Sequence, residues 1–154
     1  SGLGETPVPA GDLKVFRRLD NAARLAYVGH SRFKYIPVGK AAELDLGPAQ
    51  DVGVEAVLMR RATAHYTFFQ DGNISGWDEA LHYRVRVTNR RQVPADVEIT
   101  RHVGSPNWSI DLSGEYGKYS RVDADTIRFL LHTAPGSEAE FAYTLTVRHG
   151  KRAE

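Results

Sequence analysis

The sequence alternates between apolar and polar residues in short runs, and this period of two restricts the fold more than any other feature. Glycine, proline, asparagine and aspartate separate the runs, and no long stretch has the period of an α-helix. Because side chains along an extended strand point alternately to the two sides of a sheet, each run predicts a strand with one apolar and one polar face. The chain is therefore expected to be all-β.

The N-terminal part contains several such runs. Residues 13–19 and 24–29 predict a hairpin, and residues 42–46 alternate cleanly enough to predict a further strand. Residues 52–69 are rich in β-forming side chains but change phase, so we expect a bulge or a break near the Arg60-Arg61 pair.

The C-terminal half predicts two hairpins with a defined register. In the first, residues 81–88 would pair with residues 96–102, since both runs alternate and a short loop joins them. If the apolar faces lie on the same side, three pairs oppose each other: Val87 with Val97, Val85 with Ile99, and Arg86 with Glu98 on the polar face.

The second hairpin would turn at residues 134–137 and supplies the predicted core. Its apolar positions are Ile127, Phe129, Leu131, Phe141, Tyr143, Leu145 and Val147. Hairpins with one apolar face bury it most simply by packing sheet on sheet. The predicted fold is therefore an antiparallel β-sandwich, immunoglobulin-like or fibronectin-like, with a smaller N-terminal β lobe.

The turn-rich residues 70–76 predict the domain organisation. We expect residues 8–70 to form an N-terminal β lobe packed on the sandwich, and residues 77–149 to form the sandwich lobe. The alternative is one continuous domain over residues 8–149, which suits a chain of 154 residues equally well.

Composition excludes several classes of function. Because cysteine is absent, the chain has no disulfide, no thiolate nucleophile and no cysteine-ligated metal. The formal net charge of +1 gives no reason to expect a nucleic-acid partner, since such binders usually carry a large basic excess. No apolar run reaches the ~18 residues of a membrane-spanning helix.

The chain begins Ser1-Gly2 rather than with methionine or a leader peptide, and we interpret this start as a trimmed boundary or a tag remnant. The sequence therefore leaves the localisation open, with a position outside the cytoplasm among the alternatives, and it leaves the oligomeric state open as well.

Short strand and turn motifs are spread over nearly the whole chain: Pro9-Ala10-Gly11-Asp12, Leu25-Ala26-Tyr27-Val28-Gly29, Ile36-Pro37-Val38-Gly39, Leu44-Asp45-Leu46-Gly47, Tyr83-Arg84-Val85-Arg86, Pro94-Ala95-Asp96-Val97, Trp108-Ser109-Ile110 and residues 123–129. In their order and spacing they resemble the C-terminal domain of mucoidy-inhibitor-like conserved hypothetical proteins, a family of unknown function. The resemblance implies a β-domain that follows an N-terminal domain and a helical, coiled-coil-like region. It supplies no catalytic residues.

Two groups of residues could carry chemistry, and both have a simpler interpretation. In the predicted hairpin, His82 and His102 would face each other, but two ligands without a third predict solvent-facing histidines rather than a metal site. The acids Asp111, Glu115, Asp123 and Asp125 follow Trp108, and such acids are more often solvating loop residues than a glycosidase pair. We expect no metal and no cofactor.

Three aromatic residues and two arginines are the candidate binding residues. Trp108 would form an aromatic platform only if it were exposed beside Tyr116 or Tyr119; core packing is the simpler expectation. The pair Arg90 and Arg91 could bind an acidic partner, although neighbouring acids such as Asp96 and Glu98 would neutralise this polar face.

The absence of an interpretable catalytic group predicts a module rather than an enzyme. We expect a non-catalytic protein-interaction or assembly module from the C-terminus of a larger protein, binding an upstream domain of its parent chain or a partner protein. The alternative is a carbohydrate-binding or hydrolytic domain that uses residues 108–125.

Overall fold

The strands predicted from the alternation are the main elements of the structure, a computed structural model that describes residues 5–18, 24–113 and 118–154. These residues form nine strands and one short 3₁₀ helix: β1 (Gly11–Arg18), β2 (Leu25–Phe33), β3 (Val52–Phe68), β4 (Ile74–Asn89), β5 (Ala95–His102), β6 (Trp108–Ser113), β7 (Tyr119–Arg121), β8 (Thr126–Thr133), β9 (Glu138–Gly150) and η1 (Lys151–Ala153). All pairings are antiparallel, and the all-β prediction is confirmed. No helix in the described ranges is long and apolar enough to cross a membrane.

The chain divides into two units, Ser1–Ala49 and Gln50–Glu154. The boundary lies earlier than the turn at residues 70–76, where we placed it, because β3 forms a long ladder with β4 and so belongs to the second unit. That turn closes the β3–β4 hairpin, with the Phe69 amide donating to the Asn73 carbonyl at 2.8 Å.

The second unit is a sandwich of two sheets. One sheet has the strand order β3-β4-β9-β6 and the other has the order β5-β8-β7. Their facing sides form one apolar core, and all seven residues of the predicted core are buried in it: Ile127, Phe129, Leu131, Phe141, Tyr143, Leu145 and Val147. Ring contacts link the two layers, since Phe129 lies 5.3 Å from Phe141 and 5.1 Å from Tyr143 between ring centroids.

Both predicted C-terminal hairpins are wrong in their pairing. β4 pairs with β3 and β9, while β5 pairs with β8, so Arg86 lies opposite Glu140 and Glu98 lies opposite Leu130. The connections after β4 and after β8 cross from one sheet to the other. Alternation shows which side of a strand faces the core. Two strands have their apolar sides in the core both when they pair within one sheet and when they lie in opposite sheets, so alternation does not distinguish the two arrangements.

The layout of the layers resembles an immunoglobulin constant-type domain with one exchange of strands. In those domains the fifth strand lies between the second and fourth, and the seventh lies beside the sixth. Here β9, the seventh strand of this unit, lies between β4 and β6, and the short β7 pairs with β8. β7 takes that place because a tight turn joins it to β8, with the Val122 amide bonded to the Thr126 carbonyl.

The N-terminal unit contains the predicted hairpin, β1 paired with β2, with one irregularity after Val15. Residues 42–46, predicted as a strand, form no ladder. Their sequence alternation nevertheless matches their burial: Leu44 and Leu46 are half-buried, and the residues between and beside them are exposed. Gly29 of β2 lies so close to the Leu46 backbone that an added Cβ would overlap it.

Candidate binding surface

The inner side of β3 is apolar and continues the core rows of the sandwich. In the β3–β4 ladder, Val54 lies opposite Val87 and Leu58 lies opposite Tyr83, with Ala56 between them. Directly opposed residues of an antiparallel pair point to the same side of the sheet. These β3 side chains therefore point to the side on which β4 is buried in the core.

Burial changes abruptly between the two strands. Val87 is 0% exposed, whereas its partner Val54 is 47% exposed, and Leu58 is 45% exposed beside the buried Tyr83. β4 is the one described element with which β3 makes substantial contact. We call Val54, Ala56 and Leu58 the open flank, because the described strands of Gln50–Glu154 place no layer above these core-side residues.

The second layer ends too early to cover the open flank. β5 is the edge strand of the three-stranded sheet and lies over β4: the Arg101 guanidinium stacks 3.9 Å from the centre of the Tyr83 ring. At the other end of β5, the buried Asn89 side chain at the end of β4 donates to the Val93 carbonyl at 3.0 Å. Because β5 is the last strand of the smaller sheet and lies over β4, that sheet does not extend over β3.

The opposite side of β3 combines the charged Glu55 with the exposed apolar Val57. On that side of the sheet Arg84 and Arg86 contact Glu140 at 3.5 and 3.4 Å, and Arg86 also contacts Glu138 at 3.0 Å. An open depression of about 250 Å³ lies along this side and is lined by both charged and neutral residues. Neither feature assembles a catalytic group.

The free edge of β3 lacks the usual protection against strand pairing. Proteins commonly place lysine or proline on exposed edge strands, and residues 52–59 contain neither, with Glu55 as their one charge. The predicted bulge is confirmed at Met59, between Leu58 and Arg60. On the N-terminal side of this bulge, the pairing of residues 52–58 is regular and most of their side chains are apolar.

Of the three residues of the candidate aromatic platform, the structure describes Trp108 and Tyr119. Trp108 is 8% exposed, with its indole N–H donating to the Ala124 carbonyl at 2.9 Å, and Arg121 stacks 4.4 Å above its ring. Tyr119 is exposed, with its ring centroid 6.4 Å from that of Trp108, and Tyr116 lies outside the described residues. Trp108 therefore packs in the core, on the sandwich edge away from the open flank.

The predicted arginine pair lies in the β4–β5 connection. Arg90 is exposed and its amide bonds to the Asp51 carbonyl at 2.8 Å. Arg91 is half-buried, with its amide bonded to the Asn89 side chain at 3.0 Å and its carbonyl accepting from Gly136. Their backbones hold this connection, and only the side chain of Arg90 extends to the depression beside β3.

The predicted facing pair of histidines is wrong, because the two residues lie on different sheets. His82 on β4 bonds to the Thr144 hydroxyl at 3.1 Å, whereas His102 on β5 lies 3.5 Å from Asp125. Among the residues that the structure describes, no group of three or more His, Asp or Glu side chains could hold a metal ion.

The acids after Trp108 are divided between the two sheets. Asp111 lies on β6 in the four-stranded sheet, while Asp123 and Asp125 lie in the β7–β8 turn of the other sheet; Glu115 is outside the described residues. The Thr126 hydroxyl and the Asp125 backbone amide lower the pKa of Asp123, so this carboxylate acts as a turn acceptor.

One ionic cluster is absent from the sequence-based predictions. Asp78 is buried and accepts two bonds from Arg152 of η1, at 3.0 and 2.7 Å, and one from His65 at 3.1 Å. The Arg152 guanidinium, with a smaller contribution from His65, holds the pKa of Asp78 below its ordinary value. Partners that lie so far apart along the chain leave no local signal in the sequence.

Comparison with protein-family models, with curated proteins and with solved structures gave no match. The resemblance to the mucoidy-inhibitor-like family therefore stays a prediction. The geometry of the chain carries the functional argument, and its most distinctive feature is an apolar strand side that the fold leaves uncovered.

Proposed function

We propose that this chain is a non-catalytic protein-interaction module, which binds a segment of another domain of its parent protein or of a partner protein at the open flank. One observation carries the proposal: Val54 and Leu58 lie in the core rows of the sandwich and are nevertheless about half exposed. Covering such side chains would contribute ~25 cal/mol for each Å² of apolar surface removed from water.

The position of the apolar surface favours a partner over a small ligand. It follows an edge strand rather than a closed cavity, and edge strands with exposed core-side residues are typical docking places for extended segments. The family resemblance adds a context for this role, since it implies a C-terminal domain next to other domains of a longer chain.

Two neighbouring residues of β3 provide a matched test. Leu58 and Val57 have almost the same exposure, 45% and 43%, but point to opposite sides of the strand. A photo-crosslinking amino acid is placed at one or the other position in the full-length protein, and crosslinking is carried out in the source cells. The proposal predicts a product from position 58, mapped by mass spectrometry to one segment, and little product from position 57.

Substitutions at the same two positions complete the test with purified proteins. Leu58→Asp is expected to weaken binding of the crosslinked partner at least tenfold, and Val57→Asp to change it less than threefold, about 0.7 kcal/mol. Both variants should unfold at similar temperatures to the parent chain, because both sites are solvent-exposed. Equal crosslinking from both positions, or no product from position 58, would contradict the proposal.

A further inference from the structure

One half-buried cation lies beside the open flank. Arg101 points inward from β5, stacks on the Tyr83 ring at 3.9 Å and donates to the Tyr83 hydroxyl at 2.6 Å. Tyr83 is the residue that pairs with Leu58 on β3. The positive charge therefore lies at the end of the open flank that Leu58 forms.

This cation has no counter-charge among the described residues. Of the other ten arginines of the unit, five have no such contact among the described residues: Arg60, Arg90, Arg91, Arg121 and Arg148. The remaining five each lie within ion-pair distance of a carboxylate: Arg61, Arg84, Arg86, Arg128 and Arg152. Arg101 has none, and its Nε is buried without a hydrogen-bond partner. The corresponding Nε of Arg128 lies 3.4 Å from the Glu98 carboxylate. A half-buried guanidinium without an acid favours a partner that supplies one.

The free edge of β5 defines where such a partner would lie. β5 is the edge strand next to the uncovered part of the larger sheet, and Val97, Ile99 and Arg101 all point inward from it. A strand added to this edge would extend the three-stranded sheet over β3. Its inward side chains would then lie opposite those three β5 residues and above the open flank.

We propose that the segment bound at the open flank is an extended strand that pairs with β5 and carries two apolar residues and one acidic residue at alternate positions. The apolar side chains lie opposite Val97 and Ile99 and cover Val54 and Ala56. The carboxylate lies opposite Arg101 and accepts hydrogen bonds from its guanidinium. This inference rests on the proposed function, because it names the chemistry of the partner at the same surface.

Synthetic peptides test the pattern without the natural partner. The probes are Lys-Thr-Glu-Thr-Val-Thr-Val-Thr-Lys and Lys-Thr-Val-Thr-Val-Thr-Glu-Thr-Lys, which present the acid in the two strand directions, each with a control in which glutamine replaces glutamate. Fluorescence anisotropy measures their affinity for the whole chain. We expect the better glutamate peptide to bind about tenfold more tightly than its glutamine control.

Variants of Arg101 connect that preference to one side chain. In Arg101→Met the glutamate peptide and its glutamine control should bind equally tightly. Arg101→Lys should retain part of the preference for glutamate because lysine keeps the positive charge. A preference that persists in Arg101→Met, or that is absent in the parent chain, would overturn the proposal. Circular dichroism confirms that each variant is folded.

Two further measurements separate this inference from the proposed function. Amide hydrogen exchange should slow in β5 when the peptide binds; slowing in β3 alone would mean pairing with the other edge and would refute the inference. Leu58→Asp should abolish binding of both the glutamate and the glutamine peptide. Binding that depends on Leu58 but shows no acidic preference refutes the inference and supports the proposed function, while binding indifferent to Leu58→Asp counts against both.

Discussion

Individual polar residues hold the second unit together where its strands end. Asn89 is 0% exposed, and its amide donates to the carbonyls of Val93 and Ala134 at 3.0 and 2.9 Å. It thereby joins the β4–β5 and β8–β9 connections, both of which cross between the sheets. Asp78 has a similar role at the opposite end of β4, where it fixes the short C-terminal helix through Arg152.

Loss of the Asn89 amide should be costly. We predict that Asn89→Ala lowers the free energy of unfolding by about 3 kcal/mol, because one buried and several partly buried backbone groups lose their partner at once. Urea unfolding followed by tryptophan fluorescence measures the change. Asn73→Ala, in the exposed β3–β4 turn, is the control and should cost well under about 1 kcal/mol. Similar losses in both variants would contradict the role given to Asn89.

The Asp78 cluster predicts a dependence of stability on pH. Its pKa in the folded state is lowered from the ordinary value of 3.8, chiefly by the hydrogen bond from Arg152. The stabilisation is therefore complete above the unfolded-state pKa and is lost as the pH falls through the lower folded-state pKa. The parent chain should lose stability below ~pH 4 more steeply than Asp78→Asn does.

Urea unfolding at several pH values measures both curves. At neutral pH, Asp78→Asn should be less stable than the parent by about 1–3 kcal/mol, since the buried carboxylate gives up its charge-assisted hydrogen bonds from the partly exposed Arg152. Asp96→Asn removes an exposed carboxylate that contacts His132 at 2.7 Å and should change stability little. Parallel curves for the parent and Asp78→Asn would show that another acid controls the low-pH loss.

At the scale of the elements, the junction of β4, β9 and η1 depends on close backbone approach. Gly150 ends β9 with a φ of 58°, and a Cβ there would overlap the Ser75 carbonyl on β4. Gly136, in the turn between β8 and β9, has a similar φ of 61° but open space around it. The two glycines share the backbone conformation and differ in their surroundings.

This contrast separates backbone strain from steric overlap. Gly136→Ala should cost about 1 kcal/mol, the ordinary penalty for a side chain at positive φ. Gly150→Ala should cost about 3 kcal/mol or more, because β4 and β9 must also move apart. Thermal unfolding of the two variants checks the difference, and equal costs would show that the junction accommodates a methyl group.

At the scale of the whole molecule, the core belongs to Gln50–Glu154. Every residue of the apolar core lies within that unit, whereas the described large hydrophobic residues of β1 and β2 are mostly exposed. A two-stranded hairpin is at best marginally stable by itself in water. The sandwich therefore accounts for the cooperative stability of the chain.

A chain of residues 50–154 alone should consequently fold. We predict an all-β circular dichroism spectrum and a cooperative unfolding transition within a few degrees of that of the full chain. Size-exclusion chromatography and thermal unfolding of the two proteins measure this directly. A shortened chain without a cooperative transition would show that residues 1–49 are required for the core.

The alternation in the sequence located most of the strands and identified which of their sides is apolar, although it also predicted a strand at residues 42–46 and did not predict β6 or β7. All seven core residues that it predicted on β8 and β9 are buried, since an inward position on a strand is inward whichever neighbour the strand pairs with. It also indicated an irregularity near Arg60-Arg61, which the structure has at Met59, because an extra residue shifts the phase of the pattern.

Only the tertiary structure decided which strands are neighbours and which apolar side remains uncovered. Val54 and Val87 both lie in runs that alternate between apolar and polar residues. They differ in exposure because the three-stranded sheet ends at β5, which lies over β4 and not over β3. The same holds for Arg101, whose Nε is buried without a hydrogen-bond partner among the described residues because of how strands far apart in the chain pack together. Pairing and layer width depend on long-range contacts, and a period of two carries no information about them.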